Sequence, residues 1–359
     1  MLTPLIYPAS IENNVAPQRL SLLQVARGAS FCGPMLAMSL LSLVPMFIPF
    51  FVFQRKLIDG IATTGLKGGS VDRGPTTPHE RKSELVEKPL IIVFTKPWME
   101  PLPELAGKLA GLGFGGVELA VRPGYQVEPE NVNADLPGAV RLLAEHGLKT
   151  ASIASDPDEA TIEACGAAGV GIIRLCAPID MEAGYLASID HHRRRFDAPL
   201  PVLERTGVAI GVQNHYGEHV GSALGLAHLL SGYDPKQVCA VLDMAHCAVD
   251  GEPVCIAVDI ARPHLNGLVN FKSACHLRAN GPEMEAEYVV HWTTHDHGGY
   301  NWRDLVGALH GVGFAGAFCI PAEYSQLAGR TGQRMGDEIL PFLRKDIAHL
   351  KVLVAEIYT

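Results

Sequence analysis

Several short apolar runs in this 359-residue chain end in polar or charged side chains, and these side chains could do chemistry. Lys96 and Trp98 follow the first run, Glu118 and Arg122 belong to the second, and Ser152 and Ser155 end the third. Gln213, Asn214 and His215 close another. Asp243 closes the next, with His246 three residues on. Asn270 and Lys272 follow, and Glu323 comes last. Carboxylates, imidazoles and a lysine gathered at one place can move protons and stabilise a developing oxyanion. A late histidine-rich segment, His291-Trp-Thr-Thr-His-Asp-His-Gly-Gly-Tyr300, adds His295 and His297, which could reach such a site or bind metal; Gly298 and Gly299 would hinge it.

A common frame must position these residues. The apolar runs cover 90–94, 116–120, 149–153, 171–175, 208–212, 238–242, 268–271 and 316–320. Amphipathic helical windows such as 103–112, 136–146, 222–230, 302–312 and 336–354 lie between or after them. Continuous apolar strands separated by helices imply a parallel sheet covered on its faces. Eight such units in the last 270 or so residues fit a (β/α)₈ TIM barrel, whose functional groups sit at the carboxyl ends of its strands. A doubly wound open sheet would want a glycine-rich phosphate turn after the first strand, and Phe94-Thr-Lys-Pro-Trp98 is not one. Residues 273–300 read as a long loop on the catalytic face, in the position of a lid.

The amino-terminal part is unlike the rest. Residues 28–54 carry no charged side chain, and the centre of this run, 31–53, is long enough for one membrane-type helix, kinked at Pro45 and Pro49. Residues 67–88, rich in Gly, Pro, Thr and charge, have a linker composition. The expected organisation is thus 1–68 with its hydrophobic helix, a linker over 69–88 and a barrel over 89–359. Arg55, Lys56 and Lys67 after the helix place the barrel on the cytoplasmic side, tethered to the membrane if the segment is expressed.

Net charge is −9, from 29 Lys+Arg against 38 Asp+Glu. That balance disfavours nucleic acid as the main partner, because phosphate binding needs a basic footprint. The eight cysteines form no CxxC pair and mostly fall in apolar runs, as reduced core residues of a cytosolic domain would. No GxSxG or Walker sequence stands at a strand exit.

Two stretches resemble known families. Gln54-Arg-Lys-Leu-Ile-Asp-Gly-Ile-Ala-Thr-Thr-Gly-Leu-Lys-Gly68, with the apolar run from Met38 before it, resembles the carboxyl end of a carbohydrate ABC-transporter permease. Such a piece lacks the helices and docking loop of a working permease and cannot form a translocation path alone. The second likeness covers nearly all of 89–355. Val208-Ala-Ile-Gly-Val-Gln-Asn-His215, Leu242-Asp-Met-Ala-His246, Val269-Asn-Phe-Lys272 and Ile320-Pro-Ala-Glu-Tyr324, in that order, resemble the xylose-isomerase-like superfamily of sugar isomerases and epimerases.

The second resemblance implies an enzyme acting on a small sugar or polyol, and a divalent metal, Mn²⁺ or Mg²⁺, held by Glu, Asp, His and Glu after strands five to eight. Asp243 and Glu323 match two of those positions. Gln213 stands for the first Glu and Asn270 for the His; both keep an oxygen but lose the charge, and Gln213 cannot act as a base. Two carboxylates alone would hold a hard cation weakly and would not suit Zn²⁺. The expected catalytic residues are Glu323, His246, Lys272 and Glu118, with Lys272 able to supply the charge of a lost metal. Gln213, His215, Asn270, His295 and His297 are the expected substrate contacts, and Asp243 and Glu323 the metal ligands. A sugar-binding barrel without catalysis is the alternative, a transport component is a further one resting on residues 1–68 only, and the oligomeric state is left open.

Overall fold

In the computed structural model, the structure describes residues 86–326 and 332–359. The expected membrane-type helix, the permease-like stretch and the linker up to residue 85 lie outside the described residues, and no helix among the described ones is long and apolar enough to cross a membrane.

Eight parallel strands close a barrel. In chain order they are β1 (Leu90–Phe94), β2 (Gly116–Ala120), β3 (Lys149–Ala154), β4 (Ile172–Cys176), β5 (Ala209–Gln213), β6 (Val238–Asp243), β7 (Leu265–Asn270) and, after an inserted hairpin of β8 (Ser273–Arg278) and β9 (Tyr288–Thr293), β10 (Ala317–Ile320). Each pairs with its chain neighbour, β7 pairs with β10, and β10 closes on β1. The eight apolar runs read from the sequence are these eight strands, displaced by at most a few residues. Helices α1 (Leu102–Gly111), α2 (Val132–Glu145), α3 (Glu159–Ala168), α4 (Tyr185–Asp197), α5 (Leu200–Thr206), α6 (Ala223–Leu230), α7 (Met244–Val249), α8 (Val254–Ala261), α9 (Trp302–Gly311) and α10 (Leu340–Ile357) follow the strands in turn.

The two-residue period of a strand divides the core into two layers. Val93, Leu119, Ile153, Ile173, Val212, Leu242, Val269 and Phe318 face outward and pack with the helices. Ile92, Phe94, Ala120, Ala154, Ile172, Val241, Leu268 and Cys319 fill the interior as a separate cluster. Positions two residues further along each interior row land at the carboxyl mouth. Ile172 leads to Arg174, Gly211 to Gln213, Val241 to Asp243, and Leu268 through Asn270 to Lys272. Gly211 leaves room at the waist: a β-carbon there would stand 2.7 Å from the Val241 Cγ2 atom and 2.9 Å from the Ile172 Cγ2 atom.

The segment expected to be a loop differs. Ser273–Arg278 and Tyr288–Thr293 pair antiparallel, Ser273 opposite Thr293 and Arg278 opposite Tyr288. The two strands pair the backbone groups that face each other and leave only their outer edges to other partners. Seven cysteines are among the described residues and all are free, Cys165, Cys239, Cys247 and Cys319 being buried.

Candidate active site

Register sets the mouth. Cys176 on β4 is level with Gln213 on β5, Asp243 on β6 with Asn270 on β7, and Asn270 with Cys319 on β10. The polar side chains at these levels are therefore neighbours across strands.

They form one connected network. Arg174 grips the Glu118 carboxylate with its Nε at 2.8 and 2.9 Å and an Nη at 2.7 Å. Its other Nη donates to Gln213 Oε1 at 2.6 Å, and Gln213 Nε2 donates to Asp243 Oδ2 at 2.7 Å. Lys272 Nζ stands 3.3 Å from Asp243 Oδ2 and 2.7 Å from Glu323 Oε2. Lys96 Nζ reaches the other Glu323 oxygen at 3.1 Å. Three cations and three carboxylates alternate around the mouth, so the network carries no net charge. A buried charge is tolerated only when paired and hydrogen-bonded in this way.

Each electrostatic shift follows from that arrangement. Burial works against charge on Lys272, but Asp243 and Glu323 outweigh it and raise its pKa, so it is an ammonium. Burial likewise pushes Glu323 up, but Lys272 and Lys96 prevail and hold its carboxyl well below the usual range. Burial raises Asp243, and Lys272 and the Asn270 amide only partly offset that. Asp243 accepts from Gln213 Nε2, Asn270 Nδ2 at 3.4 Å, Ala245 N at 3.1 Å and Lys272, donors that favour its ionised form against burial. Through Ala245 it also caps α7, which carries His246.

His246 is fully buried, and desolvation first, then Lys272, keep it neutral. Its Nδ1 accepts from the Tyr216 backbone N–H at 3.3 Å. The proton then sits on Nε2, which is 3.7 Å from Asp243 Oδ2 and has no hydrogen-bond partner among the described residues. His215 packs on it with ring centres 4.2 Å apart. Its own Nδ1 bonds the Tyr216 carbonyl at 2.8 Å, and burial lowers its pKa to about 4. Trp292, delivered by β9, closes this wall: its ring lies 5.1 Å from His246 and 4.4 Å under the Lys272 ammonium. The hairpin is fixed in place by paired bonds of 3.0 Å between Trp292 and Ser325, two residues past Glu323. Between Pro321 and Glu323, Ala322 is left-handed with φ 58°, the one positive-φ residue other than glycine among those described. Such a conformation costs of order 1–3 kcal/mol and falls on the residue directly before Glu323.

The network floors a small polar cavity of ≈ 110 Å³, lined among others by Lys96, Gln213, His215, Asn270, Lys272 and Glu323. A second cavity of ≈ 400 Å³ shares Arg122, Arg174 and Cys176 with it. Together they reach the range of about 300–1,000 Å³ usual for small-molecule sites. A larger hollow of ≈ 740 Å³ lies behind, against Glu252, Cys255, Tyr300 and Asp304, and holds none of the converging groups.

The structure brings Gln213, His215, Asn270, Lys272 and Glu323 to the cavity wall, with Asp243 and His246 directly beneath. It does not bring the other expected residues there. Glu118 is fully buried, taken up by Arg174 and by Ser152 Oγ at 3.1 Å. His295 turns to the last helix, its Nδ1 3.0 Å from Asp346 and its ring 3.9 Å from that of His349. His297 is largely exposed, 3.5 Å from Asp296. The sequence reading passed over Arg174, although an arginine inside the apolar run Gly171-Ile-Ile-Arg-Leu-Cys176 is the signal that could have found it.

The divalent metal implied by the resemblance does not fit this donor set. The space between Asp243 and Glu323 is spanned by the Lys272 ammonium. Gln213 turns its NH₂, not its oxygen, to Asp243, and its oxygen is taken by Arg174. No group of three or more His, Cys, Asp or Glu side chains among the described residues is placed to hold a metal.

Comparison with solved structures finds the same barrel widely. L-ribulose 3-epimerase aligns with TM-score 0.57 at 13% identity, over 75% of this chain and 95% of its own. D-psicose 3-epimerase, solved in the presence of D-fructose, gives 0.53 at 15% identity over 74% and 99%. Mannonate dehydratase from Streptococcus suis gives 0.52 at 14% identity over 75% and 94%. At such identities the likeness is one of fold. No curated protein matches the sequence. The xylose isomerase-like TIM barrel family matches residues 107–345, which excludes the permease-like stretch and spans well over half of the sequence. The chain therefore belongs to the xylose isomerase-like TIM barrel family.

Proposed function

We propose that this barrel is a sugar or polyol isomerase or epimerase that removes a proton from the carbon next to a carbonyl. The observation that carries the reading is the placing of Glu323. It is the carboxylate of the network whose side chain opens to the cavity, 14% exposed against 0–1% for Asp243 and Glu118, and a buried ammonium touches it. The structurally similar sugar epimerases named above support the substrate class.

The residues suggest how such a reaction would run. A substrate carbonyl oxygen entering the cavity competes with Glu323 for the protons of Lys272 and Lys96. As it takes those hydrogen bonds the carbonyl is polarised, and Glu323, losing them, recovers the basicity that the lysines suppress. Glu323 then takes the proton, and the charge that develops on oxygen meets Lys272 in a water-poor site, where a preorganised cation is most effective. Return of the proton to the former carbonyl carbon, with the adjacent hydroxyl proton passing to the enolate oxygen, gives isomerisation; a solvent proton delivered to the original carbon from the other face gives epimerisation; loss of a β-hydroxyl as water, with a proton taken from solvent, gives elimination. His215 and Asn270, both on the cavity wall, are left for substrate hydroxyls.

Glu323→Gln keeps the shape and removes the base. Turnover on a panel of ketoses, aldoses and sugar acids should fall by about 10²–10⁴-fold with the circular dichroism unchanged. Activity within a few-fold of wild type would remove Glu323 from the role. The suppressed basicity of Glu323 between two lysines favours a second reading, a sugar-binding barrel without turnover. Tight binding by calorimetry with no product from any member of the panel would select it.

A further inference from the structure

We infer that Lys272 is a built-in replacement for a divalent cation, and that its ammonium excludes hard metals from the mouth of this barrel. The inference rests on the site described above but not on that site being catalytic.

Three observations carry it. First, Lys272 Nζ touches both carboxylates that face each other there, at 2.7 and 3.3 Å, and is itself 4% exposed. A metal ion between Asp243 and Glu323 would have to share that space with a positive charge. Second, the residues around the ammonium are arranged for a cation that is covalently tethered. The Lys272 carbonyl accepts from the Tyr300 hydroxyl at 2.8 Å, Trp302 Nε1 donates to the adjacent Ser273 Oγ at 2.9 Å, and the ring of Trp292 lies 4.4 Å from Nζ. The lysine is thus braced through its backbone and faced by an aromatic surface, which attracts an ammonium. Third, the amide groups have taken the sense that a carboxylate beside a lysine needs. Gln213 and Asn270 both turn NH₂ groups to Asp243, supplying donors where a metal site would supply oxygens.

The same geometry says what removing the ammonium would leave. Asp243 and Glu323 would be two carboxylates around a vacated, buried position, the donor chemistry of Mg²⁺ or Mn²⁺. Two carboxylates left without their cation would also repel each other, which a divalent ion relieves.

The test reads metal, not turnover, so the catalytic reading can fail without affecting it. The full chain is brought to equilibrium by dialysis against excess Mn²⁺. Metal bound above the free concentration is counted by mass spectrometry, and Tm is measured with and without Mn²⁺. Wild type should bind far less than one Mn²⁺ per chain and show no Mn²⁺-dependent rise in Tm. Lys272→Ala should bind close to one Mn²⁺ and gain Tm in its presence. Lys272→Met, which keeps the aliphatic stem against Trp292, carries the same expectation should the alanine variant fail to fold, and Lys272→Arg should behave as wild type. Stoichiometric Mn²⁺ in wild type overturns the inference. So does a folded Ala or Met variant that takes up no metal.

Discussion

At the scale of the residue, the mouth of this barrel spends its polar groups on one another. Glu118 illustrates the cost and the use. It is fully buried and satisfied by three contacts from Arg174 and one from Ser152. Arg174 in turn holds Gln213 in the orientation that presents its NH₂ to Asp243. Breaking a buried pair by removing one member strands the other, at about 3–5 kcal/mol. Arg174→Met should therefore lower the unfolding free energy by about that amount in urea titrations. The double variant Arg174→Met with Glu118→Leu should recover most of it. Equal losses in the single and double variants would mean that packing, not charge, sets the effect. The guanidinium also lies over Phe94, 4.7 Å from the ring centre, so a part of the single-variant loss will persist.

The elements matter through their period and their register. A strand turns alternate side chains inward, so an interior row that begins with Ile172, Gly211 or Val241 necessarily ends with Arg174, Gln213 or Asp243 at the mouth. A shift of one residue would carry all three into the helix layer. The narrowest point of that row is Gly211, where Val241 and Ile172 from the two neighbouring strands already fill the space. Both are β-branched and stiff, and neither can move without displacing the interior cluster. Gly211→Ala should cost about 1–3 kcal/mol by overpacking. Its midpoint in a denaturant titration should drop with an unchanged slope. A neutral outcome would show that the waist can expand. The inserted β8–β9 hairpin is the second element with a consequence for the site. It brings Trp292 onto Lys272 and His246, so the stretch that reads as a lid forms a fixed wall.

For the molecule as a whole, the balance of buried titratable groups predicts a pH dependence. Seven described histidines, His192, His215, His219, His246, His264, His291 and His349, have pKa values lowered chiefly by burial. Unfolded, they would titrate near 6.5. Between that value and their native values the unfolded chain binds more protons than the native one. The stability they contribute is thus fully present above about pH 6.5 and is lost as pH falls towards 4. Glu323, lowered by Lys272 and Lys96 against burial, acts in the same sense, its contribution being present above about 4.5 and lost below. Asp243, Asp250 and Asp346, raised by burial, act oppositely, since their contribution is present at low pH and lost as pH rises through their native values. The histidines outnumber them, so Tm should fall steadily from pH 6.5 to 4 and stay nearly level from 6.5 to 8. Calorimetry across that range checks it, and a Tm that rises on acidification would mean that the three carboxylates dominate.

Much of this organisation was legible in the residues alone. Eight apolar runs separated by amphipathic windows specify parallel strands under helices, because a strand buried on both faces finds partners for its backbone in its neighbours in a sheet. The same runs end in Gln213, Asp243, Asn270, Lys272 and Glu323, so the mouth of the barrel and its chemical character could be read along the chain. Local pattern could not say which polar group would take which partner. Glu118 and Arg174 are 56 residues apart, His295 and Asp346 are 51 apart, and Lys272 and Glu323 are also 51 apart. Closing the ring, together with its register, chose these partners. It locked Glu118 beneath the site, drew His295 to the last helix, and set an ammonium between two carboxylates where the resemblance had implied a metal. A side chain's type and period are properties of the segment that carries it, whereas its electrostatic partner is decided by strands that meet only when the barrel closes.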